Sequence, residues 1–429
     1  MHAVPQRSIG ASRRGGARLR LGAPKRAALG LGWLLALTCA GGASGAQIVW
    51  LDFTSDFDAG EHAYTTAEQA AIRDRIAADY QPFEIDVTLN QPQTGDYSTV
   101  TFNADGVIGG LTPAIDFRNT NPNDAARVNI NRLLGGGLEP PATSANFVGL
   151  ASTVGAHEFG HLLGLRHIDA MGPIGSGMSP QPGVTVFSPF YPGPTGANET
   201  ASHTMATPGI HGSTLFDAAG DTFLSERSAV RLAFNEQGSV VGEQLAPHGT
   251  LATAQAIGLA PLDVPNTILL GQNAGRDLLV DAVVVTGALE AGGESDLYSF
   301  SGNAGDLMNF EVVSRIIAHR LGNTIDSELR ILDPAGNEIP YFESTAFNSR
   351  EMESLDAILL DLTLPTTGTY YVQVNARSAT DTGSYEFYAY RLSHIIITVP
   401  EPGTASLLAL GLWALGSRRT RQRSRPRDS

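Results

Sequence analysis

Three histidines and one glutamate lie within one short segment, and their spacing suits the binding of a single metal ion. The segment reads His157-Glu158-Phe159-Gly160-His161-Leu162-Leu163-Gly164-Leu165-Arg166-His167. Residues four apart share one face of a helix, so His157 and His161 can present two imidazoles to one ion. Glu158 lies one position further round the helix, close enough to reach a water molecule on that ion.

A third ligand requires the chain to turn, because one straight helix cannot supply three tetrahedral ligands. Gly164 permits the turn, since helices commonly end at a left-handed residue that only glycine adopts without penalty. His167 can then swing back towards the first two histidines. Three imidazoles leave the fourth position of a tetrahedral Zn²⁺ open for water, which is typical of catalytic rather than structural zinc. The alternative is a histidine-rich surface helix.

The segment resembles the extended zinc motif HExxHxxGxxH of the metzincin metallopeptidases. The resemblance implies that His157, His161 and His167 bind zinc and that Glu158 is the general base of peptide hydrolysis. Phe159-Gly160 and residues 163–165 are most similar to the matrixin branch. The resemblance extends over roughly residues 47–240.

Metzincins also carry a methionine turn beneath the metal, and the sequence offers two candidates for it. Met205, within Ser202-His-Thr-Met-Ala-Thr207, is the first choice because it precedes the last predicted helix of this half. Met178 is closer to the spacing found in matrixins and remains the alternative.

Other polar residues near the motif receive weaker assignments. Asp169 is expected either to support a ligand imidazole or the methionine turn, or to be a simple turn residue. His203 and His211 are expected to be loop histidines without a metal. Arg227 is expected to pair with an acidic residue of the body.

The elements around the motif predict a mixed α/β arrangement in the first half of the chain. A capped amphipathic helix begins near Thr66, with Glu68 in its first turn. A second helix covers 223–234 and ends at Gly238. Strands are predicted at 47–53, 83–89, 97–102 and, more weakly, 127–131. We therefore expect an α+β domain of metzincin type over 47–243, with a twisted mixed sheet and an active-site helix. The irregular segment 169–222 would form the wall of its substrate cleft.

The second half of the chain has the pattern of an all-β domain. Short apolar stretches alternate with Gly, Asn, Asp and Pro, which predicts an antiparallel sandwich or jelly roll over 244–396. This stretch resembles the bacterial pre-peptidase C-terminal domain through residues 252–256, 296–300, 332–336 and 368–372. That family commonly accompanies secreted peptidases, and its acidic positions imply a structural Ca²⁺ as a further cofactor. Asp296 itself is expected to be a turn or strand-edge residue.

The N-terminus is predicted to be an export signal. Residues 1–46 contain a basic start, an apolar run at 27–40 and the small residues Ser44-Gly-Ala46, the order found in a secretory signal peptide. Arg13-Arg14 leaves the twin-arginine route as an alternative. The single cysteine, Cys39, lies inside this segment, so we expect no disulfide and no cysteine-based latency.

The C-terminus resembles the PEP-CTERM sorting signal of Gram-negative bacteria. Residues 397–429 contain Pro400-Glu401-Pro402, the apolar stretch 403–417 and an arginine-rich end. The resemblance implies recognition by a sorting machinery, transient membrane anchoring through 403–417, and export to the envelope or the extracellular space. A plain C-terminal anchor is the alternative.

The charge balance argues against nucleic acid as a partner. The chain has 43 acidic and 28 basic residues, a net charge of −15, and many of its basic residues lie in the two ends. Such an acidic body repels phosphate backbones. We therefore predict a secreted or envelope-associated zinc endopeptidase acting on a protein or peptide substrate. The alternatives are a non-catalytic matrix or adhesion protein on a peptidase fold, and a zinc hydrolase of cell-wall amide bonds.

Overall fold

The computed structural model describes residues 47–55, 58–137, 139–170, 174, 203–206, 222–265, 278–339 and 356–393. The described residues contain three β-sheets, one in the first half of the chain and two in the second. The predicted export signal and the predicted sorting signal lie outside the described residues, as does most of 169–222. None of the helices in the described ranges is long and apolar enough to cross a bilayer.

The first sheet has five strands in the order β2-β1-β3-β5-β4. Its strands are β1 (Gln47–Asp52), β2 (Ile85–Thr88), β3 (Ser98–Phe102), β4 (Gly109–Leu111) and β5 (Ala125–Asn129). Strand β1 pairs in parallel with β2 and β3, and β3 pairs in parallel with β5. Strand β4 runs antiparallel to β5 and forms one edge of the sheet. Strand β4 was not predicted from the sequence, because it has only three residues and two of them are glycine.

Two helices pack against this sheet. Helix α1 (Thr66–Tyr80) starts at Thr65, which forms a capping box with Glu68, in agreement with the predicted start. Helix α2 (Ser144–Leu162) is capped by Thr143 and is buried along most of its length. A Cβ at Gly155 of α2 would lie 3.1 Å from side-chain atoms of Ile76 and of Phe102. Helix α2 therefore lies close to both α1 and the sheet.

A third long helix, α3 (Glu226–Gln237), follows the irregular segment. It begins later than the predicted 223, because the Ser225 side chain accepts hydrogen bonds from the first backbone amides and caps it. Gly238 ends it as expected. Shorter helical turns occupy Asn131–Leu133, His167–Ala170 and Arg315–Ile317, the last followed by α4 (Ala318–Leu321).

The described residues of the second half form mainly β-strands, as predicted, beside the short turn at Arg315–Ile317 and α4. A four-stranded sheet has the order β12-β14-β10-β7, and a six-stranded sheet has the order β13-β11-β15-β9-β6 with β8 also paired to β9. The strands are β6 (Val240–Gly242), β7 (Gln255–Ala256), β8 (Ala260–Asp263), β9 (Leu279–Leu289), β10 (Ser295–Gly302), β11 (Leu307–Val313), β12 (Ser327–Leu332), β13 (Ile358–Thr363), β14 (Gly368–Ala376) and β15 (Gly383–Leu392).

The six-stranded sheet is buried on both faces. In β9, Val283 and Val285 contribute to the core between the two C-terminal sheets. The alternate residues Ala282 and Val284 belong to the core that continues into the first half of the chain. A strand covered on both faces carries an unbroken apolar run rather than an alternating one, which explains the sequence of β9.

The described residues of both halves belong to one compact unit. Strand β6, just before the predicted boundary between residues 243 and 244, pairs in parallel with β9 of the C-terminal sheet. The boundary itself stays a prediction, and the shared core between the halves was not foreseen from the sequence.

Candidate functional site

Helix α2 ends in a Schellman turn that reverses the chain between the second and third predicted ligands. The Leu165 amide donates to the Gly160 carbonyl at 2.9 Å, and the Gly164 amide donates to the His161 carbonyl at 3.0 Å. Gly164 has a φ of +80°, and a Cβ there would lie 2.6 Å from the Asp116 carbonyl oxygen. Both the backbone conformation and the close approach therefore require glycine at 164.

The turn brings the three histidines together. The Nε2 atoms of His157 and His167 are 3.0 Å apart. One ligand nitrogen from each histidine lies within 4.8 Å of the other two. The His161 ring stands at 90° to that of His157 and at 87° to that of His167. The three rings thus surround a common point from different directions.

Backbone carbonyls orient two of these imidazoles. His157 Nδ1 lies 2.6 Å from the Thr204 carbonyl oxygen, and His161 Nδ1 lies 2.9 Å from that of Leu165. An Nδ1–H that donates to a carbonyl leaves the Nε2 lone pair for a metal. Burial and the two neighbouring imidazoles hold the pKa of His161 well below its usual value, so this ring is neutral. A neutral imidazole is the form that ligates metals.

Glu158 lies against the edge strand β4. Its side chain is buried, and Thr112 Oγ1, just beyond β4, lies 2.6 Å from Glu158 Oε2 and 3.1 Å from the Glu158 carbonyl oxygen. A Cβ at Gly110 would overlap the Glu158 carboxylate. The glycine in β4 therefore allows the strand to run next to this carboxylate.

Met205 lies in a tight turn beneath α2. The turn is closed by the Ala206 amide, which donates to the His203 carbonyl at 3.0 Å, and the Met205 amide donates to His203 Nδ1 at 2.9 Å. Met205 is fully buried, and a Cβ at Gly160 of α2 would overlap its sulfur. His203 is therefore a loop residue, as expected, but it is buried and holds the turn. Met178 and His211 lie outside the described residues.

Asp169 lies in the short helical turn His167–Ala170, which agrees with the expected turn residue, but it is buried. Its Oδ2 accepts hydrogen bonds from the Arg166 amide at 2.7 Å and from Arg231 Nε at 3.0 Å. It thus serves an ion pair rather than a ligand imidazole, because Arg231 of α3 points at it. Arg227 forms an ion pair with Asp361 at 2.8 Å, which confirms the expected acidic partner.

A buried charge cluster links the histidine segment to the C-terminal sheet. The Glu311 cluster consists of Arg166, Asp169, Arg231 and Glu311. Glu311 Oε2 accepts from Arg166 Nη1 at 2.9 Å, and Glu311 Oε1 accepts from Arg231 Nη2 at 2.7 Å. Burial alone would raise the pKa of Glu311, but the two guanidinium groups hold it below its usual value. Glu311 is therefore ionised, and its charge is balanced by the two arginines.

Asp296 is also buried, contrary to the expected turn or edge position. It is the second residue of β10, which lies between β14 and β7 in the four-stranded sheet. Its Oδ2 accepts a hydrogen bond from Tyr385 Oη at 2.5 Å. At Asp296 strand β10 pairs with Val374 of β14, and the segment around His248 covers the residue, with the His248 carbonyl accepting from the neighbouring Leu297 amide. Calcium binding by the C-terminal half stays a prediction.

Several residues around the site were missed from the sequence. Thr112 and Thr204 are single threonines without a motif, and Glu311 lies in a strand whose pattern predicts only a buried apolar face. Their importance arises from contacts between segments distant in the chain.

Two family models match the chain, both in its second half. Residues 294–376 match the bacterial pre-peptidase C-terminal domain, and residues 398–422 match the PEP-CTERM protein-sorting motif. The chain therefore carries this domain and this sorting motif. The motif makes it an exported protein of the cell envelope or extracellular space of a Gram-negative bacterium, with a sorting machinery as partner at the C-terminus.

Solved structures similar to the chain match about a third of it. The pre-peptidase C-terminal domain of collagenase from Bacillus anthracis is 16% identical, with 32% of this chain and 93% of that chain covered and a TM-score of 0.20. PliG of Aeromonas hydrophila, a periplasmic inhibitor of g-type lysozyme, is 13% identical, with 36% and 96% covered and a TM-score of 0.18. No curated protein matches the chain.

Proposed function

We propose that the chain is an exported zinc-dependent endopeptidase of metzincin type. The observation that carries the proposal is the convergence of His157, His161 and His167 beside Glu158. Nitrogens bound to one tetrahedral zinc at ~2.0–2.1 Å lie about 3.3 Å apart. In the structure the Nε2 atoms of His157 and His167 are 3.0 Å apart, and the ligand nitrogens of all three histidines lie within 4.8 Å of one another. Small side-chain movements would bring these nitrogens to the separations that zinc requires.

The three imidazoles and the carboxylate would have different tasks. Zinc held by the three histidines would polarise the scissile carbonyl and acidify a water molecule. The Glu158 carboxylate would take the proton of the attacking water and pass it to the leaving amine. The Thr112 hydroxyl fixes one carboxylate oxygen of Glu158, which limits the side chain to one position against β4.

The outer edge of β4 favours a peptide as the substrate. Within the described ranges, the outer edge of β4 has no strand partner, so an extended peptide can add to it by backbone hydrogen bonds. Ile108 and Leu111 flank this edge and are 58% and 47% exposed. A peptide paired there would pass Glu158, because Gly110 brings the strand against that carboxylate.

Met205 supports the metzincin assignment rather than a general zinc hydrolase. Its buried turn lies beneath α2, and the adjoining Thr204 carbonyl orients His157. The five-stranded sheet with its antiparallel edge strand precedes α2, in the order that the resemblance implies.

Zymography on casein and gelatin tests the proposal. We expect Glu158→Gln to keep zinc and to cleave roughly 10²–10⁴-fold more slowly than the parent protein, because the general base is removed. Glu84→Gln, an exposed glutamate in the same half, is the matched control and should keep full activity. A chelator should abolish cleavage in the parent protein.

Three results would contradict the proposal in different ways. Full activity of Glu158→Gln with zinc bound would refute the role of Glu158. Loss of cell-wall turbidity with inert protein substrates would identify an amide hydrolase of the cell wall. Zinc binding without any hydrolysis would identify a non-catalytic matrix or adhesion protein.

A further inference from the structure

A second group of potential metal ligands lies in the C-terminal half, away from the histidine segment. Glu243 and His248 lie in the loop between β6 and β7, and Asp296 lies near the start of β10. His248 Nε2 is 3.5 Å from Glu243 Oε1 and 3.6 Å from Asp296 Oδ1. The side chains of His248 and Asp296 are almost fully buried, and that of Glu243 is 20% exposed.

The other polar atom of each side chain already has a partner. Glu243 Oε2 accepts from the Ala288 amide at 2.8 Å, and Asp296 Oδ2 accepts from Tyr385 Oη at 2.5 Å. His248 Nδ1 lies 3.3 Å from the Ala246 carbonyl oxygen. These contacts orient Glu243 Oε1, His248 Nε2 and Asp296 Oδ1 towards one another, as outer contacts orient metal ligands.

The backbone holds the loop in this position. The Leu297 amide donates to the His248 carbonyl at 3.1 Å, which ties the loop to β10. A Cβ at Gly249 would lie 2.8 Å from the Ser295 carbonyl oxygen, so glycine permits the close approach. The three ligand atoms are thus arranged by the fold rather than by chance contact of mobile surface chains.

The distances suit a shared ion better than direct hydrogen bonds. Buried His248 Nε2 makes no hydrogen bond. A charge-assisted N–H···O⁻ bond measures about 2.7–2.9 Å, shorter than either contact. Nitrogen and oxygen ligands of one tetrahedral zinc, at ~2.0–2.2 Å from it, lie about 3.3–3.5 Å apart. An unpartnered buried nitrogen between two carboxylate oxygens therefore marks a cation position.

Charge supports the same conclusion. Glu243 and Asp296 place two carboxylates beside one buried imidazole nitrogen. Two ionised carboxylates this close repel each other, and a divalent cation between them would offset that repulsion.

We propose that Glu243, His248 and Asp296 bind a divalent cation of the zinc class, separate from the histidine site. One imidazole and two carboxylates suit Zn²⁺, whereas Ca²⁺ takes six to eight oxygen ligands. The ion ties the β6–β7 loop to β10 and, through Tyr385, to β15. The site does not depend on the proposed peptidase activity.

Zinc stoichiometry separates the two sites in the full exported chain. We expect two zinc ions per parent chain after dialysis against trace zinc, measured by inductively coupled plasma mass spectrometry. The double variant His157→Ala/His161→Ala should keep one, and Asp296→Asn in that background should keep none. His319→Ala, which removes an exposed histidine, is the matched control and should change nothing.

A crystal of the zinc-saturated chain provides the test that does not depend on variant folding. We expect an anomalous peak at the zinc edge between Glu243 Oε1, His248 Nε2 and Asp296 Oδ1. Direct hydrogen bonds from a protonated His248 to both carboxylates, with no peak, would overturn the proposal. Calcium with additional oxygen ligands at this position would also overturn it, as would a double variant that binds no zinc.

Discussion

Substitution of Glu311 by glutamine should reveal how far the C-terminal sheet stabilises the histidine segment. Glu311 lies in β11, is buried, and accepts hydrogen bonds from Arg166 and Arg231. Glutamine has nearly the same size but no charge, so two buried guanidinium groups lose their shared carboxylate. Removing one partner from a buried ion pair costs about 3–5 kcal/mol.

The cost should appear in both stability and metal affinity. The described part of the chain has 270 residues. For cooperative unfolding its unfolding entropy is on the order of 0.6 kcal/mol/K, so Glu311→Gln should lower Tm by about 5–8 °C. Arg166 directly precedes His167, so the same change should weaken zinc binding roughly 10-fold, as loss of outer contacts does at other metal sites.

Thermal unfolding by circular dichroism and competition with a chromogenic chelator measure the two effects. Glu328→Gln is the control, because Glu328 forms an exposed pair with Arg330 at 3.3 Å, and such pairs contribute at most about 1 kcal/mol. If Glu311→Gln has the same melting temperature as Glu328→Gln and the same zinc affinity as the parent, the Glu311 cluster does not support the site.

Two further substitutions test local arguments. Gly164→Ala should lose more stability and more zinc than Gly293→Ala. Both glycines have a left-handed φ, which costs an alanine about 1 kcal/mol. Only at Gly164 would the new Cβ also collide with a backbone carbonyl, that of Asp116. Equal losses in thermal melts and zinc content would refute the close-approach argument. Burial raises the pKa of Asp124 from its ordinary 3.8 to about 7, so the folded chain retains a proton that the unfolded chain loses, and stability falls as pH rises between these values. Asp124→Asn should therefore melt higher than the parent at pH 8 but not at pH 4, and a lower melting temperature at pH 8 would contradict this.

Local sequence signals were sufficient for much of the fold. The capping box at Thr65, the apolar runs of the long strands and the all-β pattern of the second half each depend on neighbouring residues, and each appears in the structure. The turn at Gly164 was predictable for the same reason, because a helix end has a local signature.

Features that depend on distant pairings were not predictable. Arg166 and Glu311 are 145 residues apart, and nothing near either residue indicates the other. His248 likewise meets Asp296 only because the β6–β7 loop is fastened to β10. Strand β4 was missed because its edge pairing, rather than its composition, makes it a strand. The periodicity of helices and strands can be predicted from a single sequence, but the partners of buried charged residues cannot.

The position of β15 sets an order for folding. This strand ends at Leu392, yet its Tyr388 packs on Phe117 and its Glu386 pairs with Arg118, 268 residues earlier in the chain. The core of the first half is therefore closed by residues that are synthesised well after it. Contacts of such large sequence separation form slowly, so the first half stays incompletely packed until β15 has docked. The histidine segment, which contacts the C-terminal sheet through Arg166 and Glu311, gains that support only once the sheet has formed.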